Sequence, residues 1–148
     1  MEKNTVYDAE LKINNWVKII KINEQGDTIS LNIGDASLNR NIVILLNSIQ
    51  KISEELSNVN ERFTDDQLDH KIDFITLKMT ESTEKIDSFF GKGTCMKVFR
   101  TNTPYIDDIA DFIIQMCDLI EKFTGEKLEN FEKTKNTFIE KQKKRKRV

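Results

Sequence analysis

The chain has 148 residues, 38% hydrophobic and 32% charged, with a formal net charge of -2. Leu, Ile, Val and Phe supply 44 residues, which excludes intrinsic disorder by composition and suffices for one core. One Pro and five Gly exclude collagen-like and low-complexity chains, and one His and two Cys leave little material for metal or nucleophile chemistry.

Residues 1–15 are polar with scattered apolar side chains and read mostly as loop. No apolar run of signal-peptide length opens the chain, no window approaches a membrane span, and two cysteines make no disulfide framework. The expectation is a protein of a reducing cytoplasm. Residues 16–33 read as a β-hairpin: Trp16 to Ile22 is β-branched and apolar, Asn23 to Asp27 is a polar loop with Gly26, and Ile29, Leu31 and Ile33 alternate with Thr28, Ser30 and Asn32.

From Leu38 the period changes. Apolar residues fall at Leu38, Ile42, Leu45, Ile49, Ile52, Leu56, Val59 and Phe63, in alternating steps of 4 and 3. This heptad seam predicts one helix to Phe63, started by Asp35 or Ser37. Thr64 with Gln67 forms a capping box. A second seam runs through Leu68, Ile72, Ile75, Met79, Ser82, Ile86 and Phe89, with Ser82 its one polar break. Two seams joined at a capped turn predict an antiparallel helical hairpin reversing at Phe63 to Asp66.

Gly91 stops the second helix. Thr94 to Phe99 is a short helix, and Pro104, Asp107 and Asp108 open the next. That helix is apolar almost all round and is expected at the centre. It ends at Thr124–Gly125. A last helix is expected from Glu126 to about Lys144, its apolar face (Leu128, Phe131, Phe138, Ile139) thinning toward an exposed, frayed end. The predicted class is mainly α: an N-terminal β-hairpin followed by an antiparallel helical hairpin and two further helices, a small helical bundle. Residues 1–148 form one domain, with a helical body over 36–140 and a basic tail over 141–148.

That tail holds Lys141, Lys143, Lys144, Arg145, Lys146 and Arg147 with no acid, while residues 1–140 carry a balance of -8. An acidic body repels phosphate backbones, so nucleic-acid binding is unlikely and would fall to the tail alone. The plain reading of such a run is a solvated arm.

Three motifs are weighed against chemistry. Gly91-Lys92-Gly93-Thr94 lacks the upstream glycine and preceding strand of a phosphate loop and reads as a turn. His70 lies among Asp66, Asp69 and Asp73 but has no second His or Cys nearby, so a solvated acidic helix face is expected. Cys95 has no base within its own segment, and Cys117 sits in the most apolar helix. No catalytic residue, metal site or cofactor follows.

Ile86 to Phe99 (IDSFFGKGTCMKVF), followed by Tyr105 to Met116 (YIDDIADFIIQM), is the distinctive segment. With a β-hairpin and a heptad helix before it and a charged helix after it, the chain resembles the small tail assembly chaperones of long-tailed phages and prophages of low-GC Gram-positive bacteria. The abundance of Ile, Lys and Asn, residues with A/T-rich codons, agrees with such a source. The resemblance implies a non-enzymatic protein of the host cytoplasm, absent from the finished virion. It would bind and shield the tape measure protein and recruit tail tube subunits, with self-association left open. Residues 1–15 are longer than the family's usual start, and the unbroken basic ending is a second departure. The family offers no catalytic residues to carry over. The seam residues Ile49, Ile52 and Leu56 and the junction residues Phe89, Phe90 and Phe99 are the expected partner contacts. Two other classes stay open: a small regulatory or nucleic-acid-associated phage protein acting through the tail, and an inhibitor of a host defence enzyme.

Overall fold

The computed structural model describes residues 6–12 and 15–146, with the backbone alone for residues 145 and 146. Its elements are β1 (Val17–Lys21), β2 (Thr28–Asn32), α1 (Leu38–Ser57), α2 (Val59–Arg62), a 3-10 turn (Asp65–Gln67), α3 (Leu68–Phe90), α4 (Thr94–Phe99), α5 (Ile106–Thr124) and α6 (Phe131–Lys146). The class read from the sequence is the class observed: an antiparallel two-stranded hairpin on a small helical bundle.

α5 is the centre. Ile109, Ile113, Cys117 and Ile120 on it are fully buried, and Phe112, Ile114 and Met116 are nearly so. α1 covers one side with Ile42, Leu46 and Ile49, α6 another with Phe131 and Phe138, and the β-hairpin adds Ile29 and Leu31 to the same cluster. The strands alternate as their sequence demands, Ile29 and Leu31 inward, Thr28, Ser30 and Asn32 outward. The open end of the hairpin is closed by Trp16, whose ring lies so close over Gly34 that a Cβ there would stand 2.6 Å from Cδ1.

The helical hairpin reverses where the capping box predicts. Phe63 is extended, and Thr64 N–H donates to Gln67 Oε1 at 3.0 Å, closing the box. Facing pairs run antiparallel: Glu55 meets Lys78, Asn60 meets Lys71, and Phe63 meets Phe74. At the start, Ser37 is the N-cap residue of α1 but its side chain caps no helix amide; the Asp35 carboxylate instead accepts the Ser37 N–H at 2.9 Å and the hydroxyl at 2.7 Å.

Four expectations are corrected. The first seam helix does not run unbroken to Phe63: Asn58, at φ -97° and ψ 11°, separates α1 from the short α2, and Asn is a poor interior helix residue because its amide competes for the backbone. The last helix starts at Phe131, not Glu126. The intervening loop is tied down by Leu128 N–H donating to Glu121 Oε2 (2.7 Å) and Asn39 donating to Glu126 (3.0 Å), and Asn130 takes a left-handed φ of 59°. Ile49 and Ile52 are core residues, 0% and 2% exposed, because the seam they share faces the bundle. The basic end is not a detached arm, for α6 continues as helix through Lys146.

Truncating the centre should unfold the chain where truncating the rim does not. Ile113→Ala is expected to cost about 2–5 kcal/mol through a cavity that cannot collapse. Ile44→Ala, at a site 51% exposed, should cost under about 1 kcal/mol. Urea midpoints of the two variants check this.

Candidate functional site

The segment that carries the resemblance is a helix stop and restart. Gly91 and Gly93 have φ of 120° and 84°, a backbone that only glycine adopts without strain. The Asp87 carboxylate, still on α3, reaches forward and accepts the Gly93 N–H at 3.2 Å and the Cys95 N–H at 3.0 Å. The Thr94 hydroxyl donates to Gly91 O at 2.6 Å. Asp87 therefore occupies amides that a phosphate would need, and the Gly-Lys-Gly-Thr run works as a turn. From α3 and α4 the aromatic residues converge on α5: Phe89 packs on Phe90 (4.7 Å between centroids), and Phe90 (5.1 Å) and Phe99 (5.8 Å) both meet Phe112 edge to face. Phe90 and Phe99 are thus largely engaged in holding the corner, and Phe89 borders a groove.

Cys95 and Cys117 are fully buried and free. Burial first, and nearby Asp87 second, push the Cys95 thiol up to about 12; burial, then Asp118 and Glu121, do the same to Cys117. His70 is exposed. Among the described residues no group of three or more His, Cys, Asp or Glu could hold a metal ion, and no helix is long and apolar enough to cross a membrane.

What stands open is one side of the helical hairpin. Between α1 and α3 lies a groove of about 570 Å³, its apolar wall made by Ile44, Leu45 and Phe89 and its rim by Glu81, Glu84 and Lys85. Beyond it α3 runs on without the bundle. The loop after α4 reaches it no further than Thr83, whose hydroxyl donates to Asn102 O at 2.8 Å. Ser82 and Ile86, in the second half of the seam, are buried, whereas Leu68 and Ile72 in the first half are 57% and 52% exposed. Leu77 is exposed on a neighbouring face. The second seam is therefore covered along only part of its length. Leu56 is half-buried against the core cluster.

The projecting part is held by its own contacts. Arg62 lies 4.6 Å over the Phe74 ring, which packs on Phe63 at 5.5 Å. Lys78 bridges Glu55 (2.8 Å) and Glu81 (3.2 Å), and the Glu55 hydrogen bond is the main cause of its raised pKa. This tip was not singled out in the sequence, although Arg62, Phe63 and Phe74 flank the capping box that was. Ile44 was missed because it lies off the seam.

At the other end of the chain α6 runs antiparallel along α5. Lys135 pairs with Asp118 at 3.2 Å and Gln142 donates to Asp111 at 2.8 Å. Continuing that register brings the basic end of α6 level with Asp107 and Asp108 in the first turn of α5. Lys143 and Lys144 are exposed and Lys141 is half-buried. The side chains of Arg145 and Lys146, and Arg147 entirely, lie outside the described residues. No protein-family model, no curated protein and no solved structure matches the chain.

The raised thiols have a measurable sign. Their contribution is complete below the unfolded value of 9.0 and is lost as pH rises toward about 12, because the unfolded thiols ionise first while the folded chain keeps its protons. Urea midpoints should therefore fall above pH 9 more steeply in the parent than in a Cys95→Ala, Cys117→Ala double variant. An equal slope in both would show that the thiols carry none of it.

Proposed function

We propose that the protein is a non-catalytic tail assembly chaperone. It covers apolar helical surface on a tape measure protein in the host cytoplasm, helps recruit tail tube subunits, and leaves before the virion is complete. The observation that carries the reading is the N-terminal end of α3, where Leu68 and Ile72 share a stripe that is more than half exposed. The resemblance over Ile86 to Met116 gives that surface its partner class. An amphipathic helix laid along the stripe would bury its own apolar face against these residues. The contact area is modest, so binding stays reversible and tube subunits can displace the chaperone.

The reading through the basic tail has less support. The body's balance of -8 opposes a nucleic-acid backbone.

The test is co-expression with a phage tape measure protein, the long coiled-coil partner that this reading requires. A soluble complex is expected, and Leu68→Glu with Ile72→Glu should weaken it at least tenfold while leaving the urea midpoint unchanged, since both sites are more than half exposed. A long protein that stays soluble alone, or a complex indifferent to the double variant, would overturn the reading.

A further inference from the structure

The β-hairpin has an unpaired edge beside a partly apolar groove. Ile33 N–H donates to Trp16 O at 3.1 Å and Ile22 N–H to Asp27 O at 2.9 Å. In an antiparallel ladder this parity turns the even-numbered residues of β1 toward β2 and the odd ones outward. Val17 N–H is taken by Asn15 Oδ1 at 3.0 Å. Ile19 and Lys21 are left to present their N–H and C=O groups at the open edge. Next to that edge lies a groove of about 420 Å³ between β1, α4 and α5, its walls apolar at Ile20, Phe99, Phe112 and Leu119 and polar at Asp108 and Gln115. An open edge over a partly apolar groove is a template for another strand.

A strand of matching pattern lies in the same chain. Over residues 7–12, Tyr7, Ala9 and Leu11 alternate with Asp8, Glu10 and Lys12, which is the period of a half-buried strand. Yet these residues belong to no element, and Tyr7 and Leu11 are 78% and 84% exposed. We infer that residues 6–12 of one copy add to the free edge of β1 in a second copy, as a third, antiparallel strand.

Charge sets the register. Placing Glu10 opposite Lys21 puts Leu11 opposite Ile20 and Ala9 opposite Ile22, all three apolar side chains facing the groove. Lys12 then lies opposite Ile19 on the outer face. The exposed Lys21 and Ile19, the latter 71% exposed, gain partners. The chain's own segment cannot reach this register. Trp16 is tied to β2 and Asn15 to Val17, so a hairpin made by the same chain would pair residue 12 with residue 15. It would also set Val6, not Glu10, opposite Lys21. A second copy has no such tether.

The inference is independent of the chaperone reading, since it uses neither α3 nor a foreign partner. Sedimentation equilibrium of the full chain tests it. Self-association is expected, weakened about tenfold or more by Leu11→Asp, whose exposed site leaves the urea midpoint unchanged. Glu10→Lys and Lys21→Glu should each weaken it severalfold, and the two together should restore it. A monomeric full chain, association indifferent to Leu11→Asp, or a double reversal no better than its singles would overturn the inference. So would amide-exchange protection of Ile19 and Lys21 in the monomer, which would show the chain's own segment on the edge.

Discussion

The structure depends on the burial of α5. A helix with Phe112, Ile113, Ile114, Met116 and Cys117 in one stretch has no face for water except the strip through Asp111, Gln115 and Asp118. It needs neighbours on most sides, and no single partner supplies them. α1 can cover it because its own seam is continuous through Ile52, α6 because Phe131 and Phe138 repeat at helical spacing, and the β-hairpin because Ile29 and Leu31 share one face. The polar strip of α5 falls where α6 approaches, and there the contacts are ionic and hydrogen-bonded, Asp118 to Lys135 and Asp111 to Gln142. Each surrounding element is thus explained by the side of α5 that it meets.

This makes clear which parts were legible in the sequence. Element types and most boundaries follow from local chemistry: the change of period at Leu38, the capping box at Thr64, the glycine stops at Gly91 and Gly125, and the proline before α5. The break at Asn58 and the late start of α6 were not legible, since one depends on a single weak helix former and the other on loop contacts to Glu121 and Asn39 from distant positions. Coverage was the larger gap. A heptad seam states that a face is apolar and leaves open what meets it, so partner contact was expected at Ile49 and Ile52 and not at Leu68 and Ile72. Tertiary geometry separates them: the first pair is buried by the bundle and the second is more than half exposed.

The basic ending shows the same limit for charge. Read as a run, Lys141 to Arg147 has no acidic neighbour. In the fold the antiparallel packing of α6 on α5 sets the end of one helix beside the start of the other. Cations favour a helix C-terminus and Asp107 and Asp108 favour an N-terminus, each through its own dipole, and the packing adds the attraction between them. The described part of the run thus belongs to a helix packed on α5, which the sequence read as a run does not reveal.

The distribution of stability fits a protein whose work is contact. α1, α3 and α5 converge at Ile42, Ile86 and Ile109, all fully buried, so that end is tied to the global unfolding of the chain. The projecting end rests on Phe63, Phe74, Arg62 and the Lys78 bridges, contacts that are half-exposed and individually worth little. It can therefore adjust its helix crossing without disturbing the core. Its apolar stripe is also narrow: Leu68 and Ile72 are separated along the helix by Asp69, His70 and Lys71 and followed by Asp73. A stripe one side chain wide, bounded by charge, is too small to drive indiscriminate aggregation, yet it matches the apolar face of a single amphipathic helix. Exposure of this kind is tolerable in the free protein, and in the proposed function it serves against a partner that brings a helix of its own.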